Sequence, residues 1–401
     1  MNVLVTDGEN RSALAVTRSL GRRGCNVLVA GREHGNISAC SKFCRKAFTV
    51  PDPLKEGGEY TEAIAEIAIR EDIDVIFPMT EQSIYCLNDA RERLGKRVIL
   101  ACAPSEKMEA MSNKFKLFQL AESLGVAVPG TIYVTGADDF PLKRSRILKF
   151  PVVIKPARSK IKDGDRIISA GVMYAADQGE LGWLYETRPA LLYPSLIQEL
   201  IVGEGTGLFT LFDRDRHLAL FSHRRLLEKP PSGGVSVLSE SVCLDDEMVE
   251  AAGKLLSEAE WQGIAMVEFK RDIRDGRAKL MEINGRFWGS LQLAISSGVD
   301  FPALCLDYYL GRKPASPLSD FTVGHRLKWF FGILDHLIIR LKNCKHSFNL
   351  PPGSPACWQV VRELLKIGDG STSSDVYDPG DLEPFISETK AYIKNIICSR
   401  P

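Results

Sequence analysis

Short apolar runs alternate with longer amphipathic stretches over residues 2 to 103. Val3-Leu4-Val5, Val27-Leu28-Val29-Ala30, Val75-Ile76-Phe77 and Val98-Ile99-Leu100 have the length of strands, and helical spacing predicts helices over about 12–23, 60–71 and 82–94 between them. This rhythm predicts a parallel, doubly wound sheet. From about 104 to 315 the pattern becomes α+β, with a helix over 112–124 followed by hairpin-like strand pairs. The remaining chain combines an apolar segment at 326–341, a Pro/Gly/Ser-rich stretch around 351–374 and a final helix near 383–397. We therefore expect an α/β domain over 1–103, an α+β core over 104–315, and a C-terminal extension over 316–401 that packs on that core. No repeat period is evident.

Two strand patterns near the middle carry unexpected polar side chains. Met266-Val267-Glu268-Phe269-Lys270 and Lys279-Leu280-Met281-Glu282-Ile283-Asn284-Gly285-Arg286 read as one hairpin. Side chains two apart on a strand share a face, so Glu282 and Asn284 point the same way within an otherwise apolar stretch. Burying an unpartnered carboxylate is costly. Hard oxygen donors without neighbouring His or Cys suit Mg²⁺, with Mn²⁺ as the alternative ion. The other reading is a structural hairpin whose acids pair with Lys270, Arg271 or Arg286. Register separates the two. For Glu268 to face Glu282, the loop must centre on Asp275 or a bulge must intervene, because a two-residue Asp275-Gly276 turn would set Glu268 opposite Ile283.

Composition narrows the partners. At 401 residues and 45% hydrophobic content the chain has material for two or three cores. Lys and Arg total 51, as do Asp and Glu, so no global field recruits nucleic acid or an anionic membrane. Ten cysteines, of which Cys40 and Cys44 are the closest pair, form no CxxC framework, which favours reduced thiols and a cytoplasmic location. The first residues enter a strand directly, so no secretion signal is expected. Trp329–Ile339 is too short and carries Asp335 and His336, against a membrane span.

The first strand–loop–helix turn, Thr6-Asp7-Gly8-Glu9-Asn10-Arg11-Ser12, is a poor dinucleotide loop. It offers Glu9 and Asn10 where a pyrophosphate needs small residues, and the second strand ends in Gly31-Arg32 rather than an acid. Lining a crevice for a small polar substrate, together with Thr80-Glu81, is the better use, although Glu81 could simply serve the helix that follows. Further on, Lys114 sits in a helix ending Leu-Gly-Val-Ala-Val-Pro129, and Lys155 ends the apolar strand Phe150-Pro-Val-Val-Ile-Lys-Pro156, where a lone ammonium wants an anion. Gln198-Glu199-Leu200-Ile201-Val202-Gly203-Glu204-Gly205 is a strand running into a glycine-flexed turn.

In this order and spacing the segments resemble the ATP-grasp superfamily, carboxylate–amine ligase type, over roughly residues 1 to 315. The resemblance implies a pre-ATP-grasp domain over 1–103 and an ATP-grasp core over 104–315. It implies that Lys114 and Lys155 contact ATP phosphates, that Glu199, Leu200 and Ile201 form the adenine hinge, and that Glu204 meets the ribose. Glu268, Glu282 and Asn284 would hold Mg²⁺. The segment 156–171 departs from many relatives in being basic rather than glycine-rich.

The chemistry implied is ATP-dependent activation of a carboxylate as an acyl phosphate, attacked by an amine with release of ADP and phosphate. Two anions must approach each other, so the reaction needs charge cancellation and positioning more than acid–base residues. Arg286 and either Arg224 or Arg225 are the expected neutralising groups, and the loop Lys229-Pro-Pro-Ser-Gly233-Gly234-Val235 can bring backbone to a bound anion. Small-molecule carboxylate and amine substrates are the expected partners. A bicarbonate-using carboxylase-like enzyme and a non-catalytic ATP-binding regulator are the alternatives. No biotin-acceptor Met-Lys-Met is present.

Overall fold

The computed structural model describes residues 1–95, 97–136, 139, 149–163, 166–342, 354–366 and 370–398. The first domain is a five-stranded parallel sheet of β1 (Asn2–Val5), β2 (Asn26–Gly31), β3 (Cys44–Thr49), β4 (Val75–Phe77) and β5 (Ile99–Leu100), in the order β3-β2-β1-β4-β5. Helices α1 (Arg11–Arg22), α2 (Gly57–Arg70), α3 (Glu81–Asp89) and α4 (Arg91–Leu94) connect these strands. The doubly wound reading is met, but β3 is an additional strand. Its sequence, Cys-Arg-Lys-Ala-Phe-Thr, is mostly exposed and polar, so it carries no apolar run. Strand order reverses between β1 and β4, which opens a crevice at their C-terminal ends.

Helix α5 (Ser105–Ser112) is an additional helix, separated by a break from α6 (Lys114–Ser123), which is the helix expected over 112–124. The break falls at Asn113, whose extended backbone and side chain, accepting from the Lys116 amide at 3.3 Å, cap α6. A four-stranded antiparallel sheet follows, built from β6 (Thr131–Val134), β7 (Val152–Pro156), β10 (Met173–Ala175) and β11 (Ser195–Glu199). The small hairpin of β8 (Lys160–Asp163) and β9 (Arg166–Ser169) precedes β10, and α7 (Gln178–Thr187) covers one face.

The central sheet has seven strands. Its members are β12 (Gly203–Asp213), β13 (Arg216–Lys229), β14 (Val235–Ser241), β15 (Gln262–Asp272), β16 (Ala278–Asn284), β17 (Arg326–Lys328) and β18 (Thr372–Ser374), in the order β16-β15-β12-β13-β14-β17-β18. Helices α8 (Asp246–Glu258), α9 (Leu291–Ser296) and α10 (Phe301–Tyr309) pack against it, burying Trp261, Trp288, Phe209 and Phe301. The two large apolar cores both run continuously from the first domain into this sheet.

The C-terminal extension is integral to that architecture, since β17 and β18 complete the sheet. The apolar segment expected at 326–341 is β17 followed by α11 (Phe330–Lys342), which packs on β13 and β14 beside α12 (Cys357–Leu365). The last helix, α13 (Glu383–Cys398), covers it: Phe331 stacks on Phe385 and Tyr392, and the Trp329 indole donates to Glu388 at 2.8 Å. Parts of the Pro/Gly/Ser-rich stretch, 351–353 and 367–369, lie outside the described residues. Among the described residues no helix is long and apolar enough to cross a membrane.

Candidate functional site

A cleft of about 750 Å³ opens between the four-stranded sheet and the central sheet, closed at one end by the crevice of the first domain. Its floor is made by strand register. On β12 the positions facing the cleft are Gly205 and Gly207, which leave room beside their cross-strand neighbours Lys270 and Arg225, and Glu268 and His223. A Cβ at Gly207 would lie only 3.0 Å from the Phe209 ring.

The β15–β16 hairpin supplies the acids. The Asp272 amide donates to the Arg277 carbonyl at 2.9 Å, and Lys270 pairs with Lys279 and Phe269 with Leu280. The register then slips, so that Glu268 pairs with Glu282 and Met266 with Asn284. Met281 is the extra residue of this bulge. Without it, Glu268 would oppose Met281 and the two carboxylates would face opposite sides of the sheet. The bulge required by the sequence is therefore present.

Lys114 opens α6 and is held against the end of β7 by its own amide, which donates to Ala157 at 2.8 Å. Its ammonium lies 3.4 Å from Glu282, and Asn284 Nδ2 donates to Glu282 at 3.0 Å and more distantly to Glu268 at 3.4 Å. Arg225 pairs with Glu268 and, at 3.0 Å, with Glu228. Burial alone would raise the Glu282 carboxyl, but Lys114, the Asn284 bond and Lys155 draw it down to about 2. Burial dominates at Glu268 and pushes its carboxyl up despite Arg225. Lys155 sits over the Phe118 ring, and burial draws its ammonium down to about 8 against the pull of Glu282. Six charged side chains, Lys114, Lys155, Arg225, Glu228, Glu268 and Glu282, thus share one poorly solvated patch.

Glu199, Leu200 and Ile201 line the cleft where β11 ends. Glu199 accepts from the Gly130 amide at 3.0 Å and pairs with Lys279 at 3.2 Å and Arg274 at 3.0 Å, while Lys270 donates to the Ile201 carbonyl at 3.3 Å. Glu204 stands elsewhere. It alternates with Gly205 on β12, so its side chain leaves the opposite face and lies 3.5 Å from Arg224, outside the cleft lining. Arg224 shares that face and binds Glu240 at 2.6 Å, which leaves Arg225 as the member of the pair in the cleft.

Arg286 lines the cleft, donates to Asn284 Oδ1 at 3.4 Å and to the Phe287 carbonyl at 3.0 Å, and has no carboxylate partner among the described residues. Ser290 precedes α9 directly, so that helix begins just beyond Arg286. Gly233, Gly234, Ser159 and Lys160 bring both flanking loops to the same cavity.

From the first domain, Asn10, Arg11, Thr80 and Glu81 reach the cleft, as the switch-point argument anticipated. Asp7 organises this end with a left-handed backbone (φ 53°), accepting from Ser83 Oγ at 2.8 Å and Thr80 Oγ at 3.1 Å. Glu228, Lys270 and His223 are lining residues that sequence reasoning missed. For Lys270 a signal existed, since it follows Glu268 by two residues on one strand face.

Two carboxylates and one amide oxygen form a hard donor set, and the adjoining ammonium and guanidinium groups complement phosphate. Asn284 turns its Nδ2 toward the acids, and half a turn of the amide presents Oδ1 instead. The donors fit a magnesium ion.

At sequence level, residues 221–330, which contain Arg225, Arg286 and the three candidate metal ligands, match the family model described as ATP-grasp in the biosynthetic pathway with Ter operon. No curated protein matches the chain. Among solved structures, the fold is similar to the L-amino acid ligase from Bacillus licheniformis, with a TM-score of 0.58 and 18% identity over 77% of this chain and 74% of that one. It is also similar to a β-γ-ATP complex of biotin carboxylase from Campylobacter jejuni, with a TM-score of 0.64 and 18% identity over 81% and 74% of the respective chains. N5-carboxyaminoimidazole synthetase from Staphylococcus aureus gives a TM-score of 0.62 and 13% identity over 86% of each chain.

Proposed function

We propose that this chain is an ADP-forming ligase of the ATP-grasp superfamily that joins a small-molecule carboxylate to an amine. The observation that carries the reading is the bulged hairpin, which gathers Glu268, Glu282 and Asn284 on one face against Lys114, Lys155 and Arg225. An isolated ion-pair network would not need a 750 Å³ cleft beside it.

In this reading Leu200 and Ile201 offer backbone to the adenine edge, and Lys114 and Lys155 hold the phosphates. The Lys155 ammonium, destabilised by burial, gains most when a polyphosphate arrives. Glu268, Glu282 and Asn284 would hold Mg²⁺, which supplies neutralisation of phosphate charge. Arg225 and Arg286 offset repulsion as a substrate carboxylate oxygen attacks the γ-phosphorus. The bond between that phosphorus and the bridging oxygen breaks, and ADP departs. The amine then attacks the acyl carbon, phosphate leaves with the C–O bonding pair, and the amine proton passes to solvent. The work is positioning and electrostatic stabilisation in a dry cleft.

Biotin carboxylase and N5-carboxyaminoimidazole synthetase share the fold, so bicarbonate is the second candidate for the activated acid. Steady-state ADP release with Mg²⁺-ATP separates these readings, using a pool of L-amino acids and bicarbonate omitted in turn. We expect release to require the amino-acid pool. Release that requires bicarbonate alone favours the carboxylase-like alternative, and no release with any combination contradicts an enzymatic role.

A further inference from the structure

Arg11, the first residue of α1, reaches across the first domain's end of the cleft onto a platform supplied by the C-terminal extension. Strands β17 and β18 run parallel with Lys328 beside Ser374, and the Asp375 amide donates to the Lys328 carbonyl at 3.0 Å. That register sets Trp329 and Asp375 side by side at the sheet edge. The Arg11 guanidinium lies 4.0 Å over the Trp329 ring, and its Nη1 pairs with Asp375. Trp329 is itself fixed by its bond to Glu388 at 2.8 Å.

A planar guanidinium stacked on one face and paired at one nitrogen keeps its remaining N–H edge for something else. Nε and Nη2 of Arg11 have no protein partner among the described residues, and Nη2 is so close to Gly289 that a Cβ there would lie 3.3 Å away. Trp288, in the same cleft wall, has a buried indole N–H without an acceptor. Arg286 also lacks a carboxylate partner, and no acid occupies the first turn of α1. This end of the cleft is therefore rich in unsatisfied donors.

We propose that Arg11 is a specificity-determining residue that binds an oxyanion carried by the substrate at the first-domain end of the cleft, and that Asp375 and Trp329 are its positioning residues. The group bound is a carboxylate or phosphate distinct from the carboxylate that reacts, so the substrates together carry at least two anionic groups. The inference rests on reading the cleft as a substrate site. It also gives the extension a functional task beyond completing the sheet.

The test is binding, which does not depend on turnover. Full-length protein saturated with Mg²⁺ and a non-hydrolysable ATP analogue is titrated calorimetrically with succinate, glutarate, L-aspartate, L-glutamate and L-phosphoserine. The matched probes with one anionic group fewer are butyrate for succinate, valerate for glutarate, L-2-aminobutyrate for L-aspartate, L-norvaline for L-glutamate and L-serine for L-phosphoserine. Wild type should bind at least one probe with the extra anionic group about tenfold more tightly than its match, the size expected of one charge-assisted contact. Arg11→Gln should abolish that preference, Arg11→Lys should recover part of it, and Asp375→Asn should weaken it with nucleotide affinity unchanged. Gly289→Ala keeps the ion pair but crowds Nη2, and provides the same readout should Arg11→Gln not fold. Carboxylate and phosphate probes separate the two oxyanions. Equal affinity of matched probes for wild type, or a preference that survives both Arg11→Gln and Gly289→Ala, overturns the proposal. Loss of all ADP release with the Arg11-dependent preference intact would remove the ligase reading and leave this one standing.

Discussion

Glu282 concentrates the site's electrostatics, because it faces Glu268 across the bulge and has Lys114 3.4 Å away. Replacing it by Gln keeps volume and the bond from Asn284 but removes one charge. Glu282→Gln should retain wild-type melting behaviour and lose ADP formation by more than about 100-fold, since a metal ligand contributes several kcal/mol of transition-state charge stabilisation. A folded Glu282→Gln protein with normal ADP formation contradicts the assignment. The acids and Asn284 were legible because polar side chains at period two in an apolar strand have few bland explanations. Glu204 was misplaced for a related reason: next to Gly205, only the register of β12 decides which residue faces the cleft. The choice between Arg224 and Arg225 also awaited that register. The loop carrying Arg11 was legible as crevice lining but the platform under its guanidinium was not, since Trp329 and Asp375 lie more than 300 positions later.

At the scale of elements, α13 carries a titrating group in its contact with α11 and β17. Glu388 accepts from Trp329 with one oxygen and buries the other without a partner. Burial pushes its carboxyl up to about 7, and Asp375 adds to the rise while Trp329 and Arg11 oppose it. The folded chain therefore holds a proton that the unfolded chain releases near the ordinary glutamate value. Stability should fall as pH rises from about 4.5 to 7 and level off above, by at least ~1 kcal/mol from this group. Urea unfolding of Glu388→Gln should show a flatter profile across that window than wild type, and an identical slope would contradict the shift. The final helix was readable from its own period, but not the surface it covers. The helix expected over 112–124 is α6, which starts two residues later because the Asn113 side chain caps it.

The whole molecule is closed by ion pairs between its two ends. Arg18 on α1 donates to Asp381 at 2.9 Å, both side chains being 2% exposed, and Asp381 also accepts from Ser41 Oγ at 2.7 Å and the Lys42 amide at 2.8 Å. Removing one partner leaves a buried charge uncompensated, so Asp381→Ala should cost about 3–5 kcal/mol in chemical denaturation. A change below ~1 kcal/mol would show the contact to be peripheral. Truncation after Pro314 removes β17, β18 and the helices over them, and should give an insoluble or unfolded product. A soluble product with full activity would make the extension dispensable. The α/β rhythm of the first domain was legible along the chain, whereas this clasp joins polar residues far apart in sequence that no periodicity relates. In the proposed reaction the cleft directs a carboxylate nucleophile to the γ-phosphorus of ATP. ³¹P NMR of Mg²⁺-ATP turned over by the full-length protein with pooled carboxylates and amines tests it most directly. ADP and orthophosphate should appear in equal amounts, and only when a carboxylate is present. AMP with pyrophosphate, or intact ATP with every substrate combination, would contradict this reaction.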